Sequence, residues 1–286
     1  MMIVSGIEIL KHAHENGYAV RAFNVNNMEQ VQTIIEAANE TQSPVIIQAS
    51  QGGLKYVGVE YIAAMAKVAA QKVSVPAAIH LDHGTDFEQI IKCLRNDFTS
   101  VMIDASHYEL EENIKKTKQI VRMAHVVGVS VEAELGKIGG TEDDISVDEN
   151  DATFTDPHGA KRFVEETGVD YLAIAVGTAH GHYKGEPKID FQRIKTIKEI
   201  LNMPLVLHGS SGVPEDSIKE VVRLGINKIN IDTDIRMAFH RAVKSFVREN
   251  PDVYDPRKIL GPAKEELKKV IADKMRMFGS AGMALR

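Results

Sequence analysis

The chain has 286 residues, is 44% hydrophobic and carries a formal net charge of −6 at neutral pH. This length is typical of one large barrel domain or two smaller domains, and the net negative charge disfavours nucleic acid or an acidic membrane as a partner. The apolar runs are too short to span a bilayer, and the N-terminus lacks the pattern of a signal peptide. The single cysteine, Cys93, excludes an internal disulfide and indicates a reducing cytoplasm.

Eight apolar, β-type runs alternate with eight helical patterns along the chain. The predicted strands are Val20–Val25, Pro44–Ser50, Pro76–His83, Ser100–Ser106, Val129–Leu135, Val169–Val176, Pro204–His208 and Lys228–Asp232. The predicted helices are Met28–Thr41, Val59–Lys72, Asp86–Asn96, Glu111–Val127, Pro157–Thr167, Asp190–Leu201, Pro214–Leu224 and Asp234–Glu249. Strict alternation of this kind predicts α/β architecture with a parallel sheet, closed as a (β/α)8 TIM barrel that forms a single domain over residues 1–286. An open, doubly wound sheet is the alternative.

Two segments depart from a plain barrel. After the fifth predicted strand comes an acidic loop of roughly twenty residues, which we expect to hinge at Gly139–Gly140, and loops of this length are often functional lids. The chain also continues past the eighth helix as an extension over residues 250–286, with one further predicted helix at Pro262–Met277. We expect this extension to cover a neighbouring element or to build an oligomer.

Three histidines follow apolar β-type runs: His83 in PAAIHLDHG, His180 in YLAIAVGTAHG and His208 in PLVLHGSSG. Because the carboxyl ends of barrel strands meet at one rim, these imidazoles are expected to converge there. Three histidine ligands leave a fourth position open, which is the catalytic arrangement for a divalent metal. Asp82 adds a carboxylate that can act as a base. Consecutive residues on an ideal strand face opposite sides, so Asp82 and His83 share a site only if the chain turns at Gly84.

Other polar side chains reach the same predicted rim. They are Asn24, Ser50, Asp104, Ser106, Glu134, Asn230, Asp232 and Thr233. His80 is expected to line the barrel interior, and His182 is a rival metal ligand close to His180. A lone histidine at a strand end is usually structural, but three of them beside carboxylates indicate a metal-dependent enzyme.

Glycine-rich segments follow the sixth, seventh and eighth predicted strands. They are GTAHGHYKGEP with Lys184, HGSSGVP, and NINIDTD before the last barrel helix. Glycine lets backbone N–H groups approach an anion, and a helix N-terminus adds a favourable dipole. Loops in this part of a barrel often bind phosphate, so we expect a phosphorylated substrate.

Segments along nearly the whole chain resemble those of the class II, zinc-dependent ketose-bisphosphate aldolases. The matching segments are AFNVNN, SPVIIQAS, HLDHG, FTSVMIDASH, VSVEAELGKIGGTEDD, GTAHGHYKGEP, LVLHGSSGVP, KINIDTDIR and YDPRKILGP. Together they are highly specific. The likeness is greatest for the fructose-1,6-bisphosphate aldolases, and tagatose-bisphosphate aldolases share most of the same segments.

The resemblance implies reversible cleavage of fructose 1,6-bisphosphate to dihydroxyacetone phosphate and glyceraldehyde 3-phosphate, in glycolysis and gluconeogenesis. It implies that His83, His180 and His208 bind zinc. Asp82 would move the hydroxyl proton at C4 of the sugar, and Glu142 would exchange the proton at C3 of dihydroxyacetone phosphate.

Further roles come from the same resemblance. The ketose phosphate would be held by Gly181, Lys184, Gly209, Ser211, Asn230, Asp232 and Thr233, with Asn24 and Ser50 nearby. Arg257 would reach the second phosphate from a neighbouring subunit, which implies a homodimer or homotetramer. Asp104 and Glu134 would hold a second or displaced metal, and Na⁺ or K⁺ would bind near the phosphate loops.

Other functions remain open from the sequence. Tagatose 1,6-bisphosphate differs from the fructose sugar only at C4, which no residue spacing distinguishes. A Schiff-base aldolase would use a buried lysine, for which Lys228 is the candidate. A barrel metallohydrolase commonly places an HxH motif on the first strand, where this chain has FNVNN, and a noncatalytic phosphate-binding barrel would not need Asp82 or Glu142.

Overall fold

The computed structural model describes residues 3–142, 145–148, 152–181, 183, 185 and 187–284. The strands in this part of the chain are β1 (Val20–Asn24), β2 (Val45–Ser50), β3 (Ala77–Gly84), β4 (Ser100–Ile103), β5 (Ser130–Leu135), β6 (Gly139–Glu142), β7 (Ile145–Val147), β8 (Tyr171–Ile174), β9 (Ala179–His180), β10 (Leu205–Leu207) and β11 (Ile226–Ile231). The helices are α1 (Gly6–Asn16), α2 (Met28–Thr41), α3 (Gln51–Val57), α4 (Val59–Ala70), α5 (Phe87–Arg95), α6 (Leu110–Val126), α7 (Pro157–Thr167), α8 (Phe191–Leu201), α9 (Glu215–Arg223), α10 (Thr233–Glu249) and α11 (Pro256–Met277).

Eight of the strands close into a parallel barrel in the order β1-β11-β10-β8-β5-β4-β3-β2. The first and last of them pair directly, with Val20 opposite Lys228 and Phe23 opposite Ile231. Apolar side chains on the outward face, such as Ile47 and Leu172, are buried against the surrounding helices, and both faces of each strand are therefore buried. This double burial explains the continuous apolar runs, and the (β/α)8 prediction is confirmed.

Helix α1 closes the N-terminal end of the barrel, and the sequence patterns did not predict it. It contacts β1, β3, β5 and β11. Its buried residues Ile9, Leu10 and Ala13 pack with inward-facing barrel side chains such as Ile46 and Val206. The apolar spacing and the Ser5 cap of this helix were visible in the sequence, but only the barrel supplies the surface that stabilises it.

The long loop predicted after the fifth strand carries secondary structure. The strands β6 and β7 pair in antiparallel fashion, and β6 also pairs with β9, so that Gly140 lies opposite His180. Gly140 has a φ of +97°, and a β-carbon there would collide with the His180 carbonyl oxygen. The Gly139–Gly140 pair therefore lies in a strand of this small sheet, where close backbone approach favours glycine, rather than in an open hinge.

The C-terminal helix begins earlier than predicted, at Pro256 instead of Pro262. Asp255 caps it by accepting a hydrogen bond from the Arg257 backbone, and Pro256 suits the first helical position. Pro262 lies inside the helix, where it removes one backbone donor without ending the helix. The helix packs on α2 and α10, and Lys268 is 2.7 Å from Glu40 of α2.

No helix in the described part of the chain combines the length and apolar character needed to cross a membrane.

Replacing Leu10 with alanine is expected to lower the free energy of unfolding by about 2–5 kcal/mol, because the fully buried side chain leaves a cavity at the closed end of the barrel. Chemical denaturation of the purified variant measures this loss. The neighbouring Lys11 is exposed, so Lys11→Ala should change stability by less than about 0.5 kcal/mol. Equal effects of the two substitutions would contradict the role of α1 as the barrel's base.

Candidate active site

The three predicted metal ligands lie together at the C-terminal rim of the barrel. One ring nitrogen from each of His83, His180 and His208 lies within 4.8 Å of the others. The ring centroids of His83 and His208 are 4.5 Å apart, and His180 lies 5.0 Å from His83. The origin of one ligand differs from the prediction, since His180 comes from β9 of the small sheet rather than from the end of a barrel strand.

Asp82 and His83 share the site although they are consecutive. The backbone turns at His83, which has a φ of +46°, and the register between β3 and β4 shifts between Leu81 and Gly84. A β-carbon at Gly84 would collide with the carbonyl oxygen of Met102, so only glycine permits this path of the chain. The turn predicted at Gly84 is therefore present, and it directs both side chains into the barrel.

Buried carboxylates lie behind two of the imidazoles. Asp104 Oδ2 is 2.9 Å from His83 Nδ1, and Glu132 Oε1 is 2.8 Å from His208 Nε2. Burial acts to raise the pKa of Asp104, but hydrogen bonds from His83 and Ser106 outweigh it and lower that pKa. Burial likewise opposes ionisation of Glu132, yet its pKa is lowered by the nearby Lys228 charge and by the His208 hydrogen bond.

These carboxylates determine which ring nitrogens carry protons. An ionised carboxylate can only accept hydrogen bonds, so His83 donates from Nδ1 and His208 from Nε2. The remaining nitrogens, His83 Nε2 and His208 Nδ1, then face each other at 2.8 Å. Burial, followed by the neighbouring His83, lowers the pKa of His208. Two ring nitrogens that face each other, each on a ring backed by a carboxylate, fit a divalent metal ion.

Glu134 adds a further oxygen beside the histidines. Its Oε2 is buried, lies 3.6 Å from His208 Nδ1 and has no hydrogen-bond partner within the described residues. Burial and the Asp104 charge raise the pKa of this carboxyl well above its usual range. Glu134, Asp104 and His83 also bring ligand atoms within 4.8 Å of one another, which is the grouping that a second metal position requires.

The Asp82 carboxylate is fully buried and held by three side-chain amides. Asn24 Nδ2 and Gln48 Nε2 donate to Oδ2 at 2.9 and 3.0 Å, and Asn230 Nδ2 donates to Oδ1 at 2.9 Å. Asn24 and Asn230 were predicted near the phosphate, and here they orient Asp82. Gln48 was missed, although it lies two positions before Ser50 and so points to the same face of β2.

A cavity of about 110 Å³ adjoins the histidines at the N-terminus of α10. It is lined by the predicted residues Gly181, Gly209, Ser211, Asn230, Asp232 and Thr233, together with Thr141, His180, Ser210 and Arg236. Arg236 brings positive charge to this lining and was missed by sequence reasoning. Its Nε lies 2.6 Å from Asp232 Oδ1. The sequence did carry a signal for Arg236, because it follows the predicted site residue Asp232 by four positions, a spacing that brings side chains together on a helix.

Two residues predicted to bind substrate, Ser50 and Arg257, do not line this cavity. Ser50 caps α3, with its hydroxyl accepting a hydrogen bond from the Gly53 backbone at 3.3 Å. The side chain of Arg257 is 90% exposed and ion-paired with Asp255 at 2.8 Å, and it does not line the cavity of its own chain. A role for Arg257 at the site of a neighbouring subunit stays a prediction.

Three further predicted residues lie wholly or partly outside the description. The backbone of Glu142 ends β6, but its side chain is not among the described ones. Lys184 and the rival ligand His182 lie outside the described residues.

Lys228 is unsuited to the Schiff-base alternative. It is fully buried beneath the histidines, and its Nζ donates to Glu132 Oε2 at 2.7 Å. An ion-paired ammonium is not a free amine, so the buried lysine serves Glu132 instead of a carbonyl substrate.

Comparison with known proteins places this geometry in a family. Residues 4–283 match the family model described as fructose-bisphosphate aldolase class-II. A fructose-bisphosphate aldolase of Thermus caldophilus is 48% identical, over 99% of this chain and 100% of that protein. A probable fructose-bisphosphate aldolase of Bacillus subtilis is 47% identical, over 99% of this chain and 100% of that protein. The crystal structure of the YdjI aldolase from Escherichia coli K12 superposes with a TM-score of 0.88 at 37% identity, covering 99% and 100% of the two chains.

The metal-free protein is expected to lose stability as the pH falls below about 6.5. Burial lowers the pKa of His80 and of His208, so both stay neutral in the folded state and take up protons only on unfolding. The free energy of unfolding should therefore rise with pH through this range. Denaturation in the presence of EDTA across mildly acidic to neutral pH tests the slope. His80→Gln should flatten it, whereas His158→Gln, on an exposed helix position, should leave it unchanged.

Proposed function

The chain belongs to the class II fructose-bisphosphate aldolase family, whose members are metal-dependent lyases, and we propose that it reversibly cleaves fructose 1,6-bisphosphate to dihydroxyacetone phosphate and glyceraldehyde 3-phosphate. The observation that carries this proposal is the convergence of His83, His180 and His208 within 4.8 Å of one another, with Asp82 beside them and an anion-sized cavity next to them. The names of the similar proteins favour fructose over tagatose 1,6-bisphosphate.

In this proposal His83, His180 and His208 would hold Zn²⁺. The carboxylates of Asp104 and Glu132 keep two of the rings in the tautomer that binds metal. When bound there, Zn²⁺ would supply Lewis-acid chemistry that favours negative charge on the substrate.

Asp82 acts as the acid/base at C4 of the sugar. It removes the C4 hydroxyl proton, the C3–C4 bond breaks, C4 becomes the aldehyde carbon of glyceraldehyde 3-phosphate, and the bonding electrons stay on C3. The amides of Asn24, Gln48 and Asn230 support this role, since they orient both carboxylate oxygens beside the metal ligand. In the condensation direction Asp82 returns the proton.

The cavity at the N-terminus of α10 binds the phosphate of the ketose. Backbone groups at Gly181 and Gly209, the Ser211 hydroxyl and the helix dipole at Thr233 provide donors and favourable potential for an anion. Lys184 assists, and Arg236, ion-paired with Asp232 at 2.6 Å, contributes a guanidinium to the lining. Arg257 of a neighbouring subunit binds the second phosphate, which requires a homodimer or homotetramer.

Glu142 exchanges the C3 proton of dihydroxyacetone phosphate. Its strand β6 is hydrogen-bonded to β9, which carries His180, so a carboxylate on this strand lies on the element that borders the metal site. A sheet placed over the rim also excludes water from the carbanion. Asp104 and Glu134 offer a second metal position, a monovalent cation (Na⁺ or K⁺) binds near the phosphate cavity, and the enzyme acts in the cytoplasm.

Treatment with EDTA is expected to abolish cleavage of fructose 1,6-bisphosphate, and added Zn²⁺ is expected to restore it. A coupled assay for dihydroxyacetone phosphate measures both steps, and parallel assays with tagatose 1,6-bisphosphate should give the lower kcat/KM. Activity that survives exhaustive removal of metal would refute the histidine site. A preference for tagatose would reassign the sugar and leave the metal chemistry in place.

Asp82→Asn is expected to lower kcat by about 10²–10⁴-fold, since it removes the general base, while zinc content stays at the wild-type level. Steady-state kinetics together with metal analysis separate the two effects. Asp86→Asn is the matched control, because this exposed neighbour only caps α5 and asparagine caps equally well. Loss of zinc along with activity in Asp82→Asn would assign Asp82 to the metal instead.

A further inference from the structure

A column of buried polar side chains runs down the barrel axis beneath the metal ligands. Lys228 Nζ lies 2.7 Å from Glu132 Oε2 and 3.5 Å from His80 Nε2. His80 Nδ1 lies 2.6 Å from the Ser100 hydroxyl, which in turn contacts the Tyr171 hydroxyl. All five side chains are fully buried, and none of them lines the cavity at α10.

Stability does not explain the Lys228–Glu132 pair. Taking both charges out of water is costly, and replacing such pairs by well-packed apolar side chains is often neutral or stabilising. The interior of a barrel is usually filled by branched apolar residues. The presence of this buried ion pair therefore requires an explanation other than its contribution to stability.

Glu132 connects Lys228 to a metal ligand. Its Oε2 accepts from the ammonium, and its Oε1 accepts from His208 Nε2 at 2.8 Å. A lysine ammonium can only donate, so it anchors one oxygen and leaves the other for the imidazole. The carboxylate is thus held from two sides, and His208 presents Nδ1 towards His83.

We propose that Lys228 is a positioning residue that, through Glu132, holds His208 in the orientation and tautomer that bind the metal. This inference rests on the proposed function, because it takes His208 to be a metal ligand. Lys228 is itself in contact with His80, whose Nε2 lies 3.5 Å from Nζ and whose Nδ1 lies 2.6 Å from the Ser100 hydroxyl. Strands β3, β4, β5, β8 and β11 each contribute one member, so the column links five separate strands of the barrel to one ligand.

The test is the affinity for zinc alone, measured by competition with a chromophoric chelator. Lys228→Met removes the anchor but leaves a buried carboxylate that can prevent folding, so Glu132→Leu/Lys228→Met is made in parallel as an apolar pair of similar volume. This double variant should fold, as judged by circular dichroism, and bind zinc about 10–100-fold more weakly than the wild type. Glu132→Gln/Lys228→Met keeps a neutral acceptor for His208 and should recover part of the affinity.

Lys198→Met is the structural control. Lys198 is partly buried, and its Nζ bonds to His14, Asn227 and the Met203 carbonyl without contact to the metal ligands. Its loss should lower the melting temperature without changing zinc affinity. The visible absorption of the Co²⁺-substituted protein gives a second readout, which should change in the Glu132→Leu/Lys228→Met variant and not in Lys198→Met.

The possible outcomes separate failure of the positioning role of Lys228 from failure of the proposed metal site. A folded Glu132→Leu/Lys228→Met variant with wild-type zinc affinity and an unchanged Co²⁺ spectrum overturns the inference. If His208→Ala also binds zinc as tightly as the wild type, the proposed metal site itself is wrong. Weakened binding in both His208→Ala and the double variant, with no change in Lys198→Met, supports the positioning role.

Discussion

Two imidazole nitrogens that face each other across 2.8 Å are the constraint on which the rest of this site depends. Each ring must be held from behind for the two nitrogens to meet in this way. Asp104 holds His83 and Glu132 holds His208, and both carboxylates are buried where their hydrogen bonds are strong. The polar interior of the upper barrel follows from this requirement.

The lower half of the barrel is built differently, and its hydrophobic burial offsets the cost of desolvating the polar groups in the upper half. Apolar side chains from the strands meet those of α1, which seals the N-terminal end. The large apolar layer between barrel and helices adds most of the buried surface. Hydrophobic burial of this extent can offset a buried ion pair and three amides around Asp82, since each desolvated polar group costs a few kcal/mol at most once it is hydrogen-bonded.

The third histidine joins the metal centre to the small sheet. His180 lies on β9, which pairs with β6, and β6 ends at Glu142. In the proposed mechanism the same sheet therefore carries one metal ligand and the carboxylate that exchanges the C3 proton. In that mechanism, a shift of β6 relative to the barrel would move both groups together.

The sequence by itself determined the eight barrel strands, the eight helices that alternate with them, and His83 and His208 at strand ends, because each depends on local pattern: continuous apolar runs, helical spacing and the position at a strand end. Only the tertiary structure decided that α1 seals the barrel, that His180 belongs to β9, and that Gln48, Glu132 and Arg236 join the site. Glu132 meets His208 across 76 positions and Lys228 across 96. Such partners are selected by barrel closure and register, and no local pattern in the chain encodes them.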